Sequence, residues 1–364
     1  MFTQRRPDRR RFLGMAALSL GAAWIGTRGS VTQMLTAKPF RPSSASDLAS
    51  LGGATAWLNS APLTAGDLKG KVVLIDFWTY TCINWLRTVP YVRAWAARYK
   101  DQGLVVIGVH TPEFSFEEDV DNVRRAAQER GVTYPIAIDN DRAIWSGFGN
   151  HYWPALYIVD AAGVVRDHYF GEGHYEESEM RIRRLLAAAG QGARTDRAPV
   201  SLEAQGPEVG ADWGSLQSPE TYLGHHKAEN FASPGGAAVN TRHLYSIPPR
   251  LRLNQWALSG EWTVKPEAAA LDAAGGRIAF RFHARDLHLI MGPAARSRAV
   301  PFRVFIDGRP PSAGHGSDVD AQGAGRVTEQ GLYQLIRQAG PVVDRQFEIE
   351  FLDSGVDAFA FTFG

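Results

Sequence analysis

The only cysteine of this chain, Cys82, stands in the sequence FWTYTCINWLRTVP, which runs from Phe77 to Pro90. An apolar β-branched run ends at Trp78, and a helical pattern starts near Cys82. A thiol in the first turn of a helix lies near unpaired N–H groups and the positive end of the helix dipole, which favour the thiolate. We therefore expect Cys82 to be an exposed nucleophile with a lowered pKa. The alternative is an inert, buried cysteine.

The elements around this thiol follow from the spacing of apolar residues. Continuous apolar runs predict buried strands, and runs with a 3.6-residue period predict helices. The second helix is expected to begin at Ser115, a residue type that caps helix N-termini. The predicted strands are 71–78, 104–110, 134–139, 154–160 and 164–170, and the predicted helices are 82–100, 115–130 and 175–190. A short helix is expected between the third and fourth strands. Parallel strands first and an antiparallel hairpin last indicate a thioredoxin fold.

The second half of the chain has almost no helical periodicity. Short alternating runs separated by turn signals predict an all-β jelly-roll sandwich. Trp213, Trp256 and Trp262 could form a sugar-stacking face that binds a glycan, or they could belong to the core. The predicted organisation is a signal (1–30), a linker (31–50), a thioredoxin-like domain (51–190), a second linker (191–219) and the β-sandwich (220–364).

The N-terminus indicates export. Arginines precede an apolar run from Phe12 to Ile25, and the stretch Asp8–Gly14, DRRRFLG, resembles a twin-arginine signal. We therefore expect a protein of the periplasm or cell envelope, with an uncleaved leader acting as a membrane anchor as the alternative. With 39 basic and 38 acidic residues, the composition argues against a nucleic-acid partner. Histidine spacing predicts no metal site, and no cofactor is expected.

The stretch VLIDFWTYTCINWLRTVPYV resembles the exported thioredoxin-like proteins of the TlpA and redoxin group, and within it the DipZ family, whose motif reads FWTYTCINC. The resemblance covers about residues 51–190. The stretches SPETYLGHHKAENFASPG and LNQWALSGEWTV resemble the carbohydrate-module-like domain that follows thioredoxin in DipZ proteins.

The resemblance implies roles for single residues. Cys82 matches the attacking cysteine, and Trp85 takes the place of the resolving cysteine. Asp76 matches the buried carboxylate that accepts the proton of the resolving thiol, so that here it is either a relic of that role or a structural group. Pro154 matches a cis proline that faces the thiol. Trp153 would then lie beside Cys82, and Trp85, Trp153 and Pro154 would line the substrate groove.

Three functions are consistent with these residues. The first is a thiol oxidoreductase that forms mixed disulfides with protein or small thiols through Cys82 alone and depends on an external thiol for turnover. The second is a redox-inactive protein that binds an extended peptide beside Pro154 and a glycan on the β-domain. The third is a one-cysteine peroxidase, supported by Thr79, which stands three residues before Cys82 as the threonine of peroxiredoxins does.

Overall fold

The computed structural model describes residues 47–190, 198–295 and 298–364. All of these described residues belong to one compact unit. The expected signal (1–30), most of the first expected linker (31–50) and part of the second (191–219) lie outside the described residues. The domain boundaries given above therefore stay a proposal.

The first half of the described chain contains six strands and four α-helices, and all of them except the first strand follow the predicted order. The strands are β1 (Ala56–Leu58), β2 (Val72–Trp78), β3 (Leu104–His110), β4 (Ile136–Ile138), β5 (Ala155–Val159) and β6 (Val165–Phe170), and the helices are α1 (Ile83–Tyr99), α2 (Val120–Glu129), α3 (Ala143–Gly147) and α4 (Tyr175–Ala188). Every residue of β2 is buried, because this strand lies inside the sheet and has side chains packed on both of its faces.

These strands form one sheet in the order β1-β4-β3-β2-β5-β6. The pairs β2–β3 and β3–β4 are parallel, and β5 and β6 form an antiparallel hairpin beside β2. Alternate residues of β2 contribute to two separate apolar clusters, one on each face of the sheet. The thioredoxin fold is thereby confirmed.

The predicted start of the second helix is wrong. Ser115 opens a short 3-10 helix, Ser115–Glu118, and α2 begins only at Val120. The carboxylate of Asp119 accepts hydrogen bonds from two backbone N–H groups of the first turn, which makes Asp119 the cap. The Ser115 hydroxyl instead donates to the Glu267 carboxylate at 2.8 Å.

The second half is the predicted all-β sandwich. Its strands are β7 (Thr221–Tyr222), β8 (Arg242–Tyr245), β9 (Trp256–Val264), β10 (Ala269–Leu271), β11 (Arg277–Phe282), β12 (Asp286–Pro293), β13 (Val300–Ile306), β14 (Ala324–Val327), β15 (Gly331–Arg337), β16 (Arg345–Phe351) and β17 (Val356–Phe363). They form a continuous sheet with the main order β14-β13-β16-β11-β9-β10-β17-β12-β15. Two strands separate β11 from β17 along the sheet, yet the rings of Phe280 and Phe361 lie 5.1 Å apart. The sheet is therefore curled over a shared core.

The three tryptophans considered for sugar stacking occupy different environments. Trp256 and Trp262 are fully buried in the sandwich core, whereas Trp213 is 63% exposed. The core alternative therefore holds for Trp256 and Trp262, and the three rings do not form a common flat face.

The thioredoxin-like part and the sandwich share a core. The ring of Phe359 in β17 lies 4.6 Å from the ring of Phe116 and 5.4 Å from that of Phe114. Arg87 of α1 is buried, and its guanidinium contacts the Glu172 carboxylate at 3.4 Å and donates to the carbonyl of Phe363 at 3.3 Å.

Among the residues that the structure describes, no helix combines the length and apolar character needed to cross a bilayer.

Candidate functional site

Cys82 lies where β2 gives way to α1. It is the N-cap residue of α1, with its backbone in an extended conformation, and its carbonyl accepts the first helical hydrogen bond, from the N–H of Leu86 at 3.0 Å. Its own N–H donates to the carbonyl of Thr79 at 3.2 Å, which closes the turn between strand and helix. The side chain is half-buried and packs against the apolar cluster on the α1 face of the sheet. The predicted position of the thiol is therefore confirmed.

The expected lowering of the thiol pKa is wrong. Burial raises the pKa of the Cys82 thiol well above its usual value. The backbone N–H groups of Trp85 and Asn84 lower it, as the helix start predicts, but the charges of Glu220 and Glu113 raise it further. Burial and two carboxylates outweigh the helix start, so the resting group is a thiol.

Trp85 does not line a groove, contrary to the expectation from its position. Its side chain is fully buried and stacks on Trp78, with ring centroids 4.2 Å apart. Its indole N–H donates to a carboxylate oxygen of Asp76 at 3.1 Å. The ring that replaces the resolving cysteine is thus a core residue, because a strand carboxylate and a neighbouring ring hold it inside the protein.

Asp76 is a fully buried carboxyl group with two aromatic donors. Besides Trp85, the hydroxyl of Tyr134 lies 3.3 Å from the same oxygen. Burial raises the pKa of Asp76 to about 7, although both hydrogen bonds lower it. Gly108, the partner of Asp76 on β3, makes room for the ring of Trp78, because a Cβ there would lie 2.8 Å from its indole nitrogen.

Thr79 is fully buried, and its hydroxyl helps to lower the pKa of Glu117, a pKa that burial raises overall. The Glu117 carboxylate also accepts a hydrogen bond from the Thr81 hydroxyl at 2.6 Å and from the backbone N–H groups of Glu113 and Phe114 at 2.7 and 3.0 Å. The structure therefore gives Thr79 a neighbour other than the thiol.

The Trp153–Pro154 peptide bond is cis, as the resemblance implies. Pro154 is buried immediately before β5, the strand that pairs with β2. The half-buried ring of Trp153 packs near Trp145, with centroids 4.3 Å apart, and its N–H donates to the carbonyl of Thr111 at 3.0 Å. Its side chain belongs to the apolar cluster on the face of the sheet opposite to that of Cys82. The substrate contacts assigned to Trp153 and Pro154 stay a prediction.

The sequence reasoning missed four residues around the thiol, namely Glu113, Glu117, Glu220 and Tyr222. Tyr222 in β7 donates to the Glu113 carboxylate at 2.5 Å, and its hydroxyl lies 3.0 Å from a carboxylate oxygen of Glu220. Glu113 and Glu117 stand four residues apart after β3, a spacing that was available as a signal. Nothing in the sequence pattern placed Glu220 and Tyr222 near Cys82, because they belong to the other domain.

In the described ranges, no group of three or more His, Cys, Asp or Glu side chains could hold a metal ion.

Fold and site together define a thioredoxin-like protein with one thiol at its strand-to-helix junction. Residues 56–168 match the family described as AhpC/TSA, and residues 218–364 match the family described as thioredoxin-like C-terminal domain. Protein DipZ of Mycobacterium tuberculosis is 40% identical over 263 residues, which cover 71% of this chain and 36% of that protein. The chain thus spans about a third of the length of the DipZ relatives it matches.

A shorter relative covers the first domain alone. Thiol-disulfide oxidoreductase YkuV of Bacillus subtilis is 34% identical over 137 residues, which cover 38% of this chain and 92% of that protein. A solution structure of a thioredoxin-like protein in the oxidised form is 34% identical, covers 37% of this chain and 90% of its own, and superposes with a TM-score of 0.35. The chain belongs to the thioredoxin-like redoxin family, and its pair of matched domains makes it DipZ-like.

Proposed function

We propose that this protein is an exported thiol oxidoreductase that forms mixed disulfides through Cys82 alone. The observation that carries the proposal is the placement of the only cysteine, half-buried at the N-terminus of α1, in a chain of the redoxin family. The relatives named thiol-disulfide oxidoreductases support the reaction class. The twin-arginine-like stretch supports export to the periplasm or envelope.

The absence of a second cysteine in the sequence determines what the reaction can do. The Cys82 sulfur attacks one sulfur of a disulfide R–S–S–R, the S–S bond breaks, and Cys82–S–S–R forms while RS⁻ leaves and takes the proton lost by Cys82. A second thiol from solution must then release the adduct. The raised thiol pKa makes the first step slow at neutral pH and faster in base, because the thiolate is the attacking species.

The test uses the reduced full chain and bis(2-hydroxyethyl) disulfide. Intact mass spectrometry should show one adduct per molecule, formed faster at pH 9 than at pH 7 and released by added monothiol. The control is Cys82→Ser, which should form none. Failure of the folded parent chain to form an adduct even at pH 9 would refute the proposed reaction.

The binding alternative is favoured by two observations, the raised thiol pKa and the burial of Trp85 against Asp76. In that case the thiol is inert, and the protein acts only by holding a peptide or glycan. The peroxidase alternative has lost its main support, because Thr79 is fully buried. Consumption of hydrogen peroxide by the parent chain but not by Cys82→Ser would restore it.

A further inference from the structure

A pair of carboxyl groups meets where the two domains join. The Tyr222 hydroxyl lies 2.5 Å from Glu113 and 3.0 Å from Glu220, so one phenol bridges an acid from each domain. A phenol has one proton to donate. Two ionised carboxylates therefore cannot both be satisfied by it. Lys227 compensates part of the charge, because its ammonium group lies 3.2 Å from Glu113 and 4.2 Å above the Tyr222 ring.

A chain of hydrogen bonds connects this pair to the turn that carries the thiol. Thr81, the residue before Cys82, donates to Glu117, and Glu117 accepts from the backbone N–H of Glu113. The side chains of Cys82 and Tyr222 both pack against the same apolar cluster. Hydrogen bonds therefore link the backbone of Glu113 to the turn that carries Cys82, and the Tyr222 hydroxyl links Glu113 to Glu220.

The charges of this region disfavour ionisation of the Cys82 thiol. Glu220 and Glu113 both disfavour the Cys82 thiolate through their charge. Glu220 also lines a recess of about 370 Å³ with Tyr222, Lys227 and Glu229, and the carboxylates outnumber the single lysine there. Although Glu220 as a residue is exposed, burial of its carboxyl beside Glu113 raises its pKa to about 7, so its charge is most complete above neutral pH.

We propose that Glu113 and Glu220 make Cys82 select disulfides that carry positive charge beside the reacting sulfur over disulfides that carry negative charge. The inference rests on the proposed function and names its substrate class. A cationic group next to the attacked sulfur enters a region where the carboxylates attract it, whereas a carboxylate there is repelled. Disulfides flanked by lysine or arginine would therefore be preferred over acidic ones such as oxidised glutathione.

Three small disulfides of similar size test this selection. Bis(2-aminoethyl) disulfide is cationic, bis(2-hydroxyethyl) disulfide is neutral and bis(2-carboxyethyl) disulfide is anionic. Adduct formation on Cys82 is followed by intact mass at pH 8.5, and each rate is divided by the rate of the same disulfide with N-acetylcysteine amide. We expect the cationic probe to react about tenfold faster than the anionic one at low ionic strength, with the ratio falling towards one in 1 M salt.

Two matched variants assign the effect. Glu220→Gln keeps the size of the side chain and should reduce the cation-to-anion ratio by about threefold. Glu203→Gln, the same change in charge at an exposed site that does not act on the thiol, should leave the ratio as it is. Equal normalised rates for all probes, or equal effects of both variants, would overturn the selection without touching the proposed reaction. Absence of any adduct would instead refute the proposed reaction.

Discussion

At the scale of single residues, the replacement of a resolving cysteine by Trp85 changes two groups at once. The indole removes the second sulfur, and its N–H occupies the Asp76 carboxylate that a resolving thiol would otherwise use. Burial and stacking on Trp78 then hold the ring in place. Asp76 therefore acts here as a structural hydrogen-bond acceptor. Because its pKa is raised to about 7, its charge changes near neutral pH.

The raised pKa of Asp76 predicts a pH-dependent stability. The folded protein keeps the proton of this group up to about pH 7, whereas the unfolded chain releases it near pH 4, so the free energy of unfolding falls as the pH rises between these values. In Asp76→Asn, the fall in the free energy of unfolding between pH 4 and pH 7 should be smaller than in the parent by about 4 kcal/mol. Urea unfolding from pH 4 to 8 measures it.

The comparison must be made between parent and variant. His110 and His288 are buried with their pKa values lowered to about 3, so they contribute a loss of stability on the acid side that both proteins share. The exposed Asp101→Asn is the matched control and should keep the parental slope. An Asp76→Asn curve parallel to the parent curve would contradict the raised pKa.

Trp85→Cys should restore a two-thiol site. Positions 82 and 85 have the spacing of a CxxC pair at the start of α1, where two sulfurs can reach each other. We expect the introduced thiol to form an internal disulfide with Cys82 that dithiothreitol reduces. Alkylation with and without reductant, read by intact mass, detects it.

The control for this variant is Trp85→Ser. It leaves the same cavity, which costs about 3–5 kcal/mol in either variant, but it provides no sulfur. If both thiols of folded Trp85→Cys are alkylated without reductant after exposure to air, the geometry assigned to the turn is incorrect.

At the scale of elements, one buried carboxylate joins two loops at the same edge of the sheet. Glu117 lies in the short 3-10 helix after β3 and accepts hydrogen bonds from the turn before α1 and from its own loop. The position of Cys82 therefore depends on a residue that lies in neither β2 nor α1. Charged acceptors of this kind contribute more than neutral ones because their hydrogen bonds are stronger.

Glu117→Ala should destabilise the protein by about 3 kcal/mol, because it leaves buried donors without their acceptor. It should also increase the rate at which iodoacetamide alkylates Cys82, since the turn is no longer held. Urea unfolding and alkylation kinetics at pH 8.5 measure the two effects. Glu118→Ala, the exposed neighbouring position, is the control, and equal behaviour of the two variants would exclude the role given to Glu117.

At the scale of the whole molecule, the two folds are joined by a shared core. Phe359 of the sandwich packs against Phe114 and Phe116 of the thioredoxin-like part, and Arg87 ties α1 to the last strand. An apolar cluster that includes residues of both folds predicts that they unfold together.

Phe359→Ala should destabilise both folds by about 3–4 kcal/mol in a single transition. Far-ultraviolet circular dichroism and tryptophan fluorescence should report the same midpoint in urea. Leu244→Ala is the matched control, because Leu244 is 71% exposed in β8 and its truncation should have little effect. Two separate transitions in the parent chain would contradict the shared core.

The sequence correctly predicts the structural features that depend on local residue patterns. The buried run of β2, the helix after it and the position of Cys82 between them follow from apolar spacing over a few residues. The cap of α2 was misplaced because Ser115 and Asp119 are both suitable cap types, and only the backbone shows which of them accepts the N–H groups of the first turn.

The properties of the thiol depended on contacts that no local pattern contains. The helix start predicts a lower pKa, but the charge of Glu220, which precedes β7 in the sandwich, contributes to raising the pKa of Cys82. The burial of Trp85 likewise depends on Asp76 and Trp78, whose orientation towards it is a matter of packing. Such long-range effects cannot be read from residue spacing.

The solitary sulfur has a consequence for timing in the proposed chemistry. A protein with two neighbouring thiols releases a covalently bound partner by itself, at a rate that the geometry of the two thiols sets. Here the sequence holds only one cysteine. The concentration of free thiols in the surroundings would then set how long a partner stays attached. The lifetime of the mixed disulfide would therefore report how reducing the compartment is.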